Sequence, residues 1–340
     1  MSTAIYFGGD GTRLLAKNQD IPYAGVYIFT NKRGVAKSAL VQPPNQPAKW
    51  ISRYGSLTVS QVGKEMPNCG FNEAGLVVEQ TTLWQSTYSN DEELPAIGEL
   101  QWIQLLLDTC ATVKEAELAA SLVRIVEPMS RLHYMIADRT GDCAIFEFID
   151  GTMRVYKSDS LPFPIMANTP YSEAIRDLED VDECWRGTYS DYEYNSMERF
   201  VEGAAHLTGG FPAFKNDRLK FMLETLQAVR RKDTAFSLIY DLQQMQLHFT
   251  SSLYPELKTF RLSEVDFSAH ATTMALNLQQ PAGSSGDICY VCYDAKLNYT
   301  VANAFFRDPA LTSAFGWNIT DEMINFFAAF PDSFPSNGKR

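Results

Sequence analysis

Hairpin signals recur along this chain without the regular strand–helix–strand alternation of a crossover fold, and this constrains its architecture more than any other feature. Glycine and aspartate tolerate the positive φ angles of tight turns. Gly8-Gly-Asp-Gly11 and Asp150-Gly151 both stand between runs rich in β-branched and aromatic residues. Residues 2–7 and 12–17 read as the arms of a first hairpin. Further strands are expected at 25–30, 50–54, 56–59 and 76–82. From Ile97 the period changes: Leu100, Ile103, Gln104, Leu107 and Cys110 recur at helical spacing. A capping box of Thr112 and Glu115 opens a second helix whose apolar face carries Val113, Ala116, Ala120 and Val123. Strands resume at 132–137, 143–148 and 152–156; helices are expected at 197–207 and 216–232, and closing strands at 234–240, 246–251 and 258–262. The segment after Leu276 reads as less regular. Strands, then helices, then strands again predict two layers of antiparallel sheet with helices outside, of α/β (α+β) class, and the many hairpins argue against a doubly wound parallel sheet.

Composition narrows the function. With 45% hydrophobic and 21% charged residues, the chain can bury a substantial core. A net charge of −12 argues against nucleic acid and anionic membrane surfaces as partners. No run of apolar residues is long enough to span a bilayer, so no membrane insertion is expected. The start has neither a basic segment nor an apolar leader, which leaves a cytoplasmic protein or a periplasmic or secreted one without its leader. The six cysteines are scattered and read as reduced and packed; Cys289 and Cys292 fall on a strand, where residues three apart face opposite sides. The four histidines, His133, His206, His248 and His270, match no metal-ligand spacing, and no cofactor is implied. Neither a G-x-S-x-G elbow nor a P-loop is present.

What remains is the first hairpin. If its turn centres on Gly9-Asp10, Ser2 lies opposite Lys17, with Asp20 just past the strand end. A small hydroxyl at a chain start beside a cation and a carboxylate is the layout of a nucleophile whose own α-amine serves as base.

Further residues in the same order along the chain carry a family resemblance. Ser2-Thr3, Ala16-Lys-Asn-Gln-Asp20, Ser52-Arg-Tyr-Gly-Ser56 and Gly70-Phe-Asn-Glu-Ala-Gly-Leu76 come first. Leu132-His-Tyr-Met-Ile-Ala-Asp138, Ile145-Phe-Glu-Phe-Ile-Asp-Gly151, Ala167-Asn-Thr-Pro170, Met197-Glu-Arg-Phe200 and Tyr240-Asp-Leu242 follow. Together they resemble the penicillin V acylase and bile-salt hydrolase (choloylglycine hydrolase) group of N-terminal-nucleophile linear amide hydrolases. The resemblance implies a four-layer αββα sandwich forming a single hydrolase domain over 1–340, in many members as a homo-oligomer. It places the nucleophile on Ser2, where the family has cysteine, the basic residue on Lys17 and the aspartate on Asp20. The asparagine falls on Asn168, the arginine on Arg199, and an oxyanion-side position on Thr82. Serine in place of cysteine reads as an inactivating or substrate-trapping change, and a retained Met1 leaves Ser2 with an amide instead of an amine.

In that scheme the Ser2 α-amine has an ordinary pKa of about 7.7–8.0 and acts as base. Lys17 across the strand favours its neutral form, and Asp20 orients it. Asn168 and a backbone N–H near Thr82 receive the oxyanion, and Arg199, near the start of a helix capped by Asn195, holds Asp20 and Asn168. Tyr23, Tyr27, Trp84, Met129 and Leu132 are the candidate walls of an acyl pocket. The expected activity is hydrolysis of a small N-acyl amide. The alternatives are a binding protein that keeps the pocket without the chemistry, and an N-acyltransferase.

Overall fold

The first hairpin sets the frame for everything else. The computed structural model describes residues 1–9, 11–179, 189–209, 217–280 and 290–335. Ser2–Gly9 pairs antiparallel with Thr12–Asp20, and the chain reverses between Gly9 and Thr12, one residue later than expected. Gly11 takes φ +78°, the left-handed conformation that a two-residue turn demands and that glycine adopts without a Cβ penalty. Moving the turn by one residue moves the register by two, so Ser2 lies opposite Gln19 and Lys17 lies opposite Ala4. The period-two alternation keeps every side chain on its expected face, but Lys17 is carried away from Ser2.

Two antiparallel sheets form around this hairpin. The first runs, in spatial order, Ile165–Met166, Ser2–Gly9, Thr12–Asp20, Thr234–Asp241, Gln246–Ser251 and Lys258–Arg261. The second runs Thr152–Lys157, Cys143–Ile149, Leu132–Ala137, Val77–Thr82, Cys69–Asn72, Ser56–Ser60, Tyr27–Asn31, Met274–Asn277 and Val291–Cys292. The sheets pack face to face through an apolar layer that includes Leu15, Leu57, Phe71, Met135, Ile145, Leu238 and Tyr240. Helices Asp191–Gly209 and Arg218–Ala228 cover the outer face of the first sheet, and Glu99–Thr109 and Val113–Ala120 that of the second. Trp102, Ile103 and Leu106 drive the latter contact, packing on Val78, Tyr134 and Phe146. The α/β sandwich of four layers is the one expected from the order of elements.

Three expectations are corrected. The described residues from 295 onward are not irregular: they fold into helices Ala295–Phe306, Pro309–Phe315 and Asp321–Ala329. Their start signals are local. Asp294, Asp308 and Thr320 each accept a backbone N–H two or three residues on, and Pro309 sits at a first-turn position where its missing N–H costs nothing. Asn195 is not a helix cap, because the helix begins at Asp191 and Asn195 lies within it. Residues 50–54 yield only a short ribbon in which Lys49–Ile51 pairs with Ala36–Ser38. Cys289 lies outside the described residues, as does Cys184. Among the described residues no helix is long and apolar enough to cross a membrane.

Candidate active site

Ser2 begins its strand at the sheet edge where Ile165–Met166 runs out into Asn168. The strand partner reaches only Ala4 and Ile5, so the backbone of Ser2 is left for side chains to satisfy. Asn168 Oδ1 accepts the Ser2 N–H at 3.2 Å. Arg199, reaching in from its helix, donates to the Ser2 carbonyl at 2.7 Å, to Asn168 Oδ1 at 2.7 Å and to Thr3 Oγ1. Asn168 in turn donates from Nδ2 to the Thr82 carbonyl at 2.8 Å, tying the two sheets together beside Ser2. Four of the six candidate catalytic residues therefore form one hydrogen-bonded chain.

Asp20 stands at the end of the neighbouring strand. Its Oδ1 accepts from Thr234 Oγ1 at 2.7 Å, and its buried Oδ2 has no hydrogen-bond partner. Burial raises the pKa of this carboxyl, opposed by the Thr234 bond and by the Arg199 charge. Burial likewise lowers the Arg199 guanidinium, to about 10, so it stays cationic at neutral pH. The Met1 amine donates to the Asp20 carbonyl at 3.0 Å and, desolvated there, has its pKa lowered to about 6 even though Asp20 pulls the other way.

Lys17 does not join this group. Its Nζ lies 2.9 Å from Glu79 Oε2 in the layer between the sheets, both side chains fully buried. Tyr240 donates its hydroxyl to the other Glu79 oxygen at 2.8 Å. The two-residue shift in register is the cause, since it moves Lys17 two positions along the strand from Ser2 and over the inner face of Val77–Thr82. The expected effect of Lys17 on a Ser2 amine is thus withdrawn.

Residues that sequence reasoning passed over hold the Asn168 segment. Ser196 Oγ accepts the Asn168 N–H at 2.8 Å. His133, read from sequence as structural, has Nδ1 3.0 Å from Glu147 Oε1 and Nε2 3.1 Å from the Ala167 carbonyl, and it also touches Thr81. Glu147 accepts the Tyr171 N–H at 2.8 Å. The signal was present: Glu147 interrupts the apolar run Ala144-Ile-Phe-Glu-Phe148 at a strand centre, where a charge needs a partner.

A cavity of about 190 Å³ opens beside Ser2. Trp84, Met129 and Leu132 line it, as do Thr82 and Asp20, together with Phe305, Leu311 and Phe315 from the C-terminal helices and Trp317 from the connection that follows Phe315. Tyr23 and Tyr27 do not line it. Tyr23 packs edge-on behind Phe305 at 5.4 Å, and Tyr27 stacks beside Phe29 at 6.0 Å. Ser2 itself is only 2% exposed and Met1 stands between it and the cavity.

The class that this fold defines is that of the linear amide C-N hydrolases. A model of the linear amide C-N hydrolases, choloylglycine hydrolase family, matches residues 26–256, and the chain belongs to that family. The match contains Thr82, Asn168 and Arg199 and begins after the first hairpin. A penicillin V acylase of Pectobacterium atrosepticum is 32% identical over 138 residues, covering 36% of this chain and 36% of that relative's length. The solved penicillin V acylase of Agrobacterium tumefaciens superposes with a TM-score of 0.68 at 23% identity, covering 82% of this chain and 91% of the other. A variant of conjugated bile acid hydrolase from Clostridium perfringens does so at 0.63 and 16%, over 86% and 97%. At those identities the likeness is one of fold.

Proposed function

We propose that this chain hydrolyses the amide bond of a small N-acyl substrate, with residue 2 as an N-terminal nucleophile once residue 1 is removed. The observation that carries this reading is that the N–H and the C=O of Ser2 are both held by side chains, those of Asn168 and Arg199, next to a cavity that the preceding residue, Met1, lines. The family supports amide hydrolysis as the reaction class.

With Met1 gone, the Ser2 nitrogen is an amine in the same desolvated corner that lowers the Met1 amine, and a neutral amine is a base. Asp20 Oδ2, free of other partners, accepts one of its N–H bonds and fixes the lone pair toward Oγ. The amine takes the Oγ proton as Oγ bonds to the substrate carbonyl carbon. Asn168 Nδ2 has a second N–H beyond the one given to Thr82, and that N–H receives the oxyanion. Collapse breaks the C–N bond, and the leaving nitrogen takes the proton from the Ser2 amine. Water, deprotonated by the same amine, then releases the acid from Ser2.

Serine is a weaker nucleophile than cysteine, so the acyl-enzyme forms slowly in this chain. The test is intact mass spectrometry of the chain lacking Met1, and of its Ser2→Cys variant, against N-acyl amides of varied acyl group. An acyl adduct on residue 2 with turnover in the cysteine form is expected. If the processed cysteine form acylates with nothing, the chemistry does not belong to this chain. The burial of Ser2 behind Met1 favours a second reading for a chain that keeps residue 1, namely binding of an acyl ligand without hydrolysis.

A further inference from the structure

The cavity is unusual in its charge. Asp20, Glu99 and Asp233 line it, and no lysine or arginine does. Glu99 opens the helix Glu99–Thr109 and is 4% exposed. Its Oε1 accepts the N–H groups of Met129 at 3.1 Å and Ser130 at 3.2 Å, and no cation pairs with it among the described residues. The titratable groups facing it are Tyr88 and Tyr134, both held neutral by burial, while Asp20, Asp233, Tyr192 and the Met1 amine face the same cavity. Burial pushes the Glu99 carboxyl up to about 7.

A second acceptor belongs to the lining of the same cavity. Gln61 is fully buried and lines the cavity; its Nε2 donates to the Tyr23 carbonyl at 2.9 Å, but its Oε1 has no partner. A buried amide oxygen without a donor is costly unless something supplies one. Trp84, Phe305, Phe315 and Trp317 add aromatic faces, which attract cations.

We propose that this pocket selects acyl groups bearing an ammonium or other hydrogen-bond donor, with Glu99 as the residue that determines the preference, and that it disfavours acyl groups bearing a carboxylate. The inference rests on the acyl-pocket reading above and names its substrate class. A carboxylate brought beside the Glu99 carboxylate is repelled, and no lysine or arginine lines the cavity to receive it, Asp233 being already paired with Arg231 at 2.9 Å. A donor instead meets Glu99, with the buried Gln61 oxygen, itself without a partner, in the same cavity wall. A hydrogen bond to a charged group of this kind discriminates by roughly tenfold or more.

Three probes of one shape test this by calorimetric titration of the purified protein at pH 8: phenylacetamide, its 4-aminomethyl derivative and its 4-carboxymethyl derivative. The aminomethyl probe is expected to bind about tenfold tighter than the parent, with the carboxymethyl probe weakest. In Glu99→Gln the ratio of aminomethyl to parent affinity collapses toward one, and Glu99→Asp restores part of it. In the unaltered protein the same ratio falls as pH is lowered through about 7. That series reads the Glu99 charge even if a variant does not fold. An aminomethyl probe that binds no tighter than its parent, a ratio unmoved by Glu99→Gln, or no binding by any probe overturns the proposal. Turnover of the matching anilides is scored separately. Binding with the stated preference but no turnover overturns only the hydrolytic reading, and turnover without the preference overturns only this one.

Discussion

Asn168 Oδ1 accepts the backbone N–H of Ser2 at 3.2 Å, joining two residues 166 positions apart in the chain. The same side chain gives an N–H to the Thr82 carbonyl at 2.8 Å, so one residue spans the edge of both sheets at the proposed nucleophile. Replacing it removes the orientation of Ser2 and the proposed oxyanion donor together. Asn168→Ala is expected to lower kcat about 100- to 1000-fold in the active, processed form. The check is kcat and KM measured alongside the melting temperature. A loss of only a few fold in a folded variant would take Asn168 out of the machinery.

Arg199 is a packing element as much as an electrostatic one. Its guanidinium satisfies the Ser2 carbonyl, Thr3 Oγ1 and Asn168 Oδ1, all of them buried. Arg199→Ala strands buried acceptors and should cost about 2–4 kcal/mol in urea unfolding. Arg199→Lys should fall between, because one ammonium cannot reproduce the planar fork.

Lys17 and Glu79 form a fully buried ion pair between the sheets. Removing either partner leaves the other charge desolvated, at a cost of about 3–5 kcal/mol. The double variant Lys17→Met with Glu79→Gln should lose much less than the sum of the two single changes. A double-mutant cycle by equilibrium unfolding measures that coupling. Additive losses would mean that the pair contributes nothing as a pair.

Glu99 makes the stability of the fold depend on pH. Its carboxyl titrates near 7 when folded and at the ordinary glutamate value when unfolded. Between those values the folded chain binds more protons than the unfolded one, so stability falls as pH rises. The contribution is fully present below the unfolded pKa and is gone above about 7. Unfolding free energies at pH 5 and pH 8 should differ in that direction, and Glu99→Gln should shrink the difference.

How much of this was legible in the residues alone differs from element to element. Alternating apolar runs located the main strands of both sheets, because the strand period is a local property of side-chain direction. The turn of the first hairpin was read one residue early. Asp10-Gly11 is itself a favoured hairpin dipeptide, and a register shift of two residues leaves every side chain on the same face, so the apolar pattern does not separate it from Gly9-Asp10. The C-terminal helices were missed although their caps stand in the sequence, since Asp294, Asp308 and Thr320 precede short segments in which the helical period has little room to show.

The candidate site was proposed from an ordered set of motifs, not from geometry. Ser2, Asn168 and Arg199 carry no local signal of proximity, and their meeting depends on a strand edge left open beyond Ala4. Lys17 shows the converse: close in sequence to the nucleophile, it belongs to a different buried cluster. Glu99 at a helix start reads as an ordinary first-turn acid favoured by the helix dipole. Only the closure of the 129–130 segment and of the C-terminal helices over it makes that acid a buried charge in a cavity. The sequence by itself determined the elements and their faces, because nearest-neighbour sterics and period decide those. The tertiary structure alone decided which polar groups are desolvated together, because that depends on which distant segments exclude water from them.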